Sequence, residues 1–99
     1  MLAAWWNGEV IARSEICKMV EGNWYFPPES LRKQYFKRSE TRTECSWKGT
    51  AHYYNVVVSR SENLDGAWYY PQPKPRASHI EGWVAFWNGI DVRDEQRNE

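Results

Sequence analysis

Lys48 is followed at once by Gly49. A lysine on a glycine-relieved turn offers an ammonium and nearby backbone N–H groups to one anion; the competing reading is a solvated hairpin lysine. Arg42 and Arg76 are cations that would complete an anion site, although surface arginine is common. Cys45 stands three residues before Lys48, and a thiolate lowered by a neighbouring cation is a nucleophile. Strand residues three apart face opposite sides, so that pairing needs a bend near Trp47. A buried structural thiol is therefore the preferred reading of Cys45, and Cys17 is read as packing. Glu29 follows Pro27-Pro28, where the free N–H groups of a helix start favour a carboxylate; its functional alternative is a hydrogen-bond acceptor or general base. Glu40, Glu44 and His52 are polar neighbours of the same hairpin, and His79 reads as surface.

Tyr25, Tyr53, Trp68 and Tyr70, together with Trp47, supply rings that would line a cleft and stack a planar ligand. The alternative is a ring-rich core or a dimer interface. His52 and His79 lie far apart in the chain, as do Cys17 and Cys45, and neither pair has ligand spacing. No metal site, P-loop or required cofactor is expected.

These residues must be positioned by one small domain, because 99 residues leave no chain for a second core. Seven Trp, six Tyr and three Phe supply most of the large apolar surface, while Leu and Ile are scarce. Such a core is made of rings, which suit strands better than helices. Thirteen basic and thirteen acidic residues balance, so no global field draws the chain to anionic lipid, and nucleic acid is disfavoured as a partner. Two cysteines without C-x-x-C spacing fit a reducing, cytoplasmic compartment better than a disulfide framework. The apolar start Met1 to Trp6 lacks a basic flank and meets Asn7-Gly8 at once, so neither a signal peptide nor a membrane span is expected.

Asn7-Gly8 between Ala4-Trp6 and Glu9-Ala12 predicts a hairpin with a type I′ turn. A short β stretch follows from Ile16 to Tyr25. Pro28 to Phe36, with Leu31 and Tyr35 at i, i+4, predicts a helix of about two turns. Thr41 to Cys45 alternates as a strand, Trp47 to Thr50 turns, and Ala51 to Ser59 is the strongest strand signal. Ser61 to Gly66 reads as a turn-rich loop before a strand over Ala67 to Tyr70. Pro71, Pro73 and Pro75 impose a stiff extended segment, then a helical turn from Pro75 to Glu81 and a last strand over Trp83 to Trp87. The fold class expected is mostly β with minor α: bent antiparallel strands and hairpins in a single domain over residues 1–92, with residues 93–99 a charged tail.

Four spaced pieces carry a resemblance: Tyr25-Phe26-Pro27-x-Glu29, Thr43-x-Cys45-x-Trp47-Lys48-Gly49-x-Ala51-x-Tyr53, Ala67-Trp68-x-Tyr70-Pro71-x-Pro73, and Ile80-x-Gly82-x-Val84-Ala85-Phe86. Together they resemble the bacterial family catalogued as domain of unknown function 427, also labelled nucleotidyltransferase-like, over roughly residues 5 to 92. Ser30-Leu31 stands where the family usually has Asp-Val, and Ser46-Trp47 where it usually has Pro-Tyr. The resemblance implies a compact fold of mixed strands and places Glu29 at an aromatic pocket; it implies no established activity. Metal-dependent nucleotidyl transfer needs neighbouring carboxylates around Mg²⁺, and Asp65, Asp91 and Asp94 form no D-x-D pair.

The leading expectation is a binding domain for a small planar or anionic ligand, in an aromatic cleft edged by Lys48 and Glu29. Tyr25, Tyr53, Trp68 and Tyr70 would be its rings, with Arg42 and Cys45 nearby. The alternatives are an enzyme of unknown reaction using Cys45, Lys48 and Glu29, and a structural domain whose aromatic surface forms a homodimer.

Overall fold

Asn7 and Gly8 take positive φ, 51° and 80°, and the turn they make joins β1 (Leu2–Trp6) to β2 (Glu9–Ser14) as the sequence predicts. The structure, a computed structural model, describes residues 1–95. Among these, nine strands form three antiparallel sheets. β3 (Lys18–Val20) and β4 (Asn23–Tyr25) make a small hairpin. β5 (Phe36–Cys45), β6 (Gly49–Val58), β7 (Ser61–Tyr69) and β8 (Val84–Phe86) lie in chain order in the largest sheet. β9 (Asp91–Asp94) returns to pair with β1, so the first sheet runs β2-β1-β9.

Two short contacts join the β3–β4 hairpin to the largest sheet and the segment after it to β2. Phe26, just past β4, trades both backbone hydrogen bonds with Val84 at 2.7 and 2.8 Å, and the Arg32 N–H donates to the Ile11 carbonyl at 2.9 Å. Because side chains alternate across a strand, the four-stranded sheet carries a core on each face. On one, Val56, Ala67, Val84 and Phe86 meet Ala4, Ile11, Ala12 and Phe26. On the other, Ala51 and Ala85 meet Tyr25, Tyr70, Ala77 and Ile80. Tyr25 and Phe26, consecutive and both fully buried, send one large ring into each core, each burial contributing on the order of 2 kcal/mol or more.

The mostly β fold class holds, and three local expectations are corrected. The helix over Pro28 to Phe36 is instead two 3₁₀ turns, Pro28–Ser30 and Lys33–Tyr35. Leu31 between them is extended and bridges to Ala12, so pairing with β2 interrupts the helical path. Ser61 to Gly66 is not a loop, because the turn comes earlier, at Ser59-Arg60, and β7 already begins at Ser61. In the expected tail, Arg93 and Asp94 belong to β9, and the Glu95 N–H donates to the Met1 carbonyl at 2.8 Å. Residues 96–99 of that tail lie outside the described residues. Among the described residues, no helix is long and apolar enough to cross a membrane.

Candidate functional site

Lys48 sits in the turn between β5 and β6, and its placement begins with Gly49. That glycine has φ 117°, and a Cβ there would stand 3.4–3.5 Å from the backbone of Gln72, Pro73 and Lys74. Those distances are ordinary contacts, so it is the positive φ, which strains an L side chain, that favours glycine where the proline-stiffened segment crosses the turn. The Lys74 N–H donates to the Lys48 carbonyl at 2.9 Å and the Lys74 ammonium to the Ser46 carbonyl at 2.7 Å. The Lys48 side chain is thereby directed inward, and only 6% of the residue remains exposed.

Tyr53 on β6 lies directly opposite Trp68 on β7, and Tyr70 follows one residue past that strand. With Lys48 and Trp87 they line one concavity of about 180 Å³. Among the described residues four of the five that line it are rings, of which Tyr53 and Trp68 meet as cross-strand neighbours. Tyr25, expected as a lining ring, is instead fully buried beneath them: its hydroxyl accepts the Trp68 Nε1–H at 3.1 Å, and the two rings meet edge to face at 6.3 Å. Burial raises the Tyr25 pKa, against the opposing pull of that Trp68 hydrogen bond. Tyr70 is raised more strongly, by burial first and then by the nearby Tyr25 and Cys45. Both phenols are therefore neutral donors at physiological pH.

The Lys48 ammonium donates to the carboxylate of Glu21, whose other oxygen accepts the Trp47 Nε1–H at 3.1 Å. Its Nζ also stands 5.4 Å from the Trp47 ring centre and 5.6 Å from that of Tyr70, within cation–π range. Burial works against the charged form of Lys48. The Glu21 hydrogen bond and the fields of Tyr25, Cys45 and Glu21 outweigh it, and the pKa is raised. Lys48 is a permanent cation with its charge balanced on the spot.

Cys45 packs against the same aromatic core as a free, half-buried thiol. The Ser46-Trp47 bend brings it to the Lys48 side despite the three-residue spacing.

Two expected site residues lie elsewhere. Glu29 borders a separate groove of about 540 Å³ with Pro28, Leu31, Lys33, Phe36, Arg38 and Tyr54. Phe36 and Arg38 pair with Val56 and Tyr54, which places this groove on the sheet face opposite Tyr53. Arg42 pairs with His52 on that same opposite face, and its guanidinium donates to the carbonyls of Ser39 and Thr41 at 3.0 and 2.8 Å. It braces the β5 bulge rather than the cleft. The expectation that Glu29 edges the cleft with Lys48 is corrected accordingly: the carboxylate beside Lys48 is Glu21.

Trp87, which lines the cleft, and Glu21, which pairs with the cleft's lysine, are the residues that sequence reasoning missed. Glu21-Gly22 has φ of 53° and 83° and forms the β3–β4 turn. Gly22 signals a turn there, but nothing in the spacing says that it faces Lys48. Trp87 follows β8, half exposed, and its Nε1–H donates to the Asp65 carbonyl at 2.6 Å. Its ring meets Trp68 edge to face at 6.1 Å. Among the described residues, no cluster of three or more His, Cys, Asp or Glu side chains is arranged to hold a metal ion.

Compared with models of known protein families, residues 1–97 match the one described as Domain of unknown function (DUF427). No curated protein matches the chain.

Proposed function

The chain belongs to the DUF427 family, whose description assigns no reaction, and from the geometry of its cleft we propose that it binds a small planar molecule. The ligand's ring stacks among Tyr53, Trp68, Tyr70 and Trp87, with Lys48 as the polar anchor. The observation that carries this reading is a buried ammonium set at a ring-lined concavity. Burying a cation costs free energy unless it is paired. Packing alone would be served as well by a leucine or methionine. An ammonium has three N–H donors, and Glu21 takes one of them.

A thermal-shift screen of wild type and Lys48→Met against single-ring heterocycles, aromatic amides, nucleotides and sugar phosphates tests this. Single-ring planar compounds raise the wild-type midpoint and leave Lys48→Met unmoved. Failure of every compound to stabilise wild type contradicts the reading. The enzymatic alternative draws on Cys45 packing beside the same rings. Cys45→Ser separates the two: a binding domain keeps its ligand shift, whereas a cysteine enzyme loses turnover with binding intact.

A further inference from the structure

We infer that Glu21 sets the charge selectivity of this cleft, restricting it to uncharged single-ring ligands that present a carbonyl or similar acceptor to Lys48. The inference rests on the binding reading above. Among the described residues Lys48 is the one charged residue lining the concavity, and its countercharge, Glu21, is in direct contact with its ammonium. The Glu21 carboxylate is anchored on two donors, the Lys48 ammonium and the Trp47 indole. It is also half exposed, so it holds its charge at little cost in solvation.

A neutral carbonyl accepts a second Lys48 N–H without disturbing this arrangement. A carboxylate or phosphate reaching the same Nζ would stand close to the Glu21 carboxylate. Water at the half-exposed Glu21 side chain screens their repulsion only in part at so short a separation. The volume, about 180 Å³, sits below the ~300 Å³ at which pockets for larger ligands begin and admits one ring.

The backbone adds an independent observation. Glu21 occupies the first of two left-handed positions in its turn, φ 53°, where Asn, Asp or Gly is what turn chemistry selects. A glutamate held there is explained by what its carboxylate touches, not by the turn.

Benzamide and benzoate, a neutral and an anionic probe of the same shape, test the inference by calorimetric titration of wild type and Glu21→Gln. Wild type prefers benzamide. Glu21→Gln shifts the affinity ratio toward benzoate by on the order of tenfold or more. The ratio cancels any uniform loss of affinity that a merely structural role would produce. Lys48→Met gives a second check, losing benzamide without gaining benzoate. An unchanged ratio in Glu21→Gln, or a wild-type preference for benzoate, overturns the inference and leaves the cleft reading standing. Binding of neither probe to any of the proteins overturns both.

Discussion

Lys48 and Glu21 contribute unequally to stability, because one is buried and the other half exposed. Lys48→Met removes a buried charge and leaves a carboxylate that water can solvate, so it changes stability by less than about 1 kcal/mol. Glu21→Ala leaves the buried ammonium without its partner, and lowers the melting midpoint more than Lys48→Met does. A reversed order in thermal melts would contradict the pairing described. The pH dependence follows from the same contact. The Lys48 hydrogen bond, then that of Trp47, holds the Glu21 carboxyl below its ordinary range. A carboxyl depressed in the folded state stabilises above its unfolded pKa, and this contribution is lost as pH falls through the folded value. Glu95 behaves likewise through Arg13. The midpoint therefore declines on acidification below the ordinary carboxylate range, and Glu21→Gln makes that decline shallower. An identical acid limb in the two proteins would remove Glu21 from the account. Of these contacts the sequence shows Lys48, through its glycine, but not Glu21. An ion pair between two turns far apart in the chain leaves no spacing to read.

Among the hairpins, the turns at Asn7-Gly8 and at Trp47 to Thr50 are legible in the sequence and the one at Ser59-Arg60 is not. Ser59 and Arg60 both adopt left-handed φ, 48° and 69°, a conformation that L side chains enter at a cost. Neither residue type signals a type I′ turn, so the sequence after it reads as loop. The double substitution Ser59→Asn with Arg60→Gly fits the turn better and raises stability by about 1 kcal/mol in urea denaturation; a loss of stability would show the turn to be misassigned. The β5 bulge is equally silent in sequence. Asp65, left-handed at φ 56°, accepts from the Ser39 and Thr41 hydroxyls of the β5 bulge through its carboxylate and from Trp87 through its carbonyl. One residue thus joins the outer strand to the wall of the cleft. The helix predicted from Pro28 failed for the opposite reason, because local propensity was strong and pairing of Leu31 with β2 overrode it.

For the whole molecule, the aromatic excess visible in the composition has two destinations. Part fills the two cores, where Tyr25 and Phe26 point to opposite faces of one sheet. Part lines the concavity over the second core, where Tyr53, Trp68, Tyr70 and Trp87 gather around Lys48. The grouping of Lys48 with Tyr53, Trp68 and Tyr70 was readable because strand pairing forces it. The exclusion of Glu29 and Arg42 was not readable, because the face each occupies depends on the β5 bulge and on the short 3₁₀ turns. On the binding reading proposed above, a planar ligand enters this concavity and no other. The seven tryptophans each carry one indole N–H, so a nitrogen–proton spectrum of labelled protein titrated with benzamide tests it most directly. Saturable shifts of the Trp68 and Trp87 indole signals are expected, with those of Trp5 and Trp24 unmoved and all shifts lost in Lys48→Met. Shifts confined to other tryptophans, or none at any concentration, would contradict it.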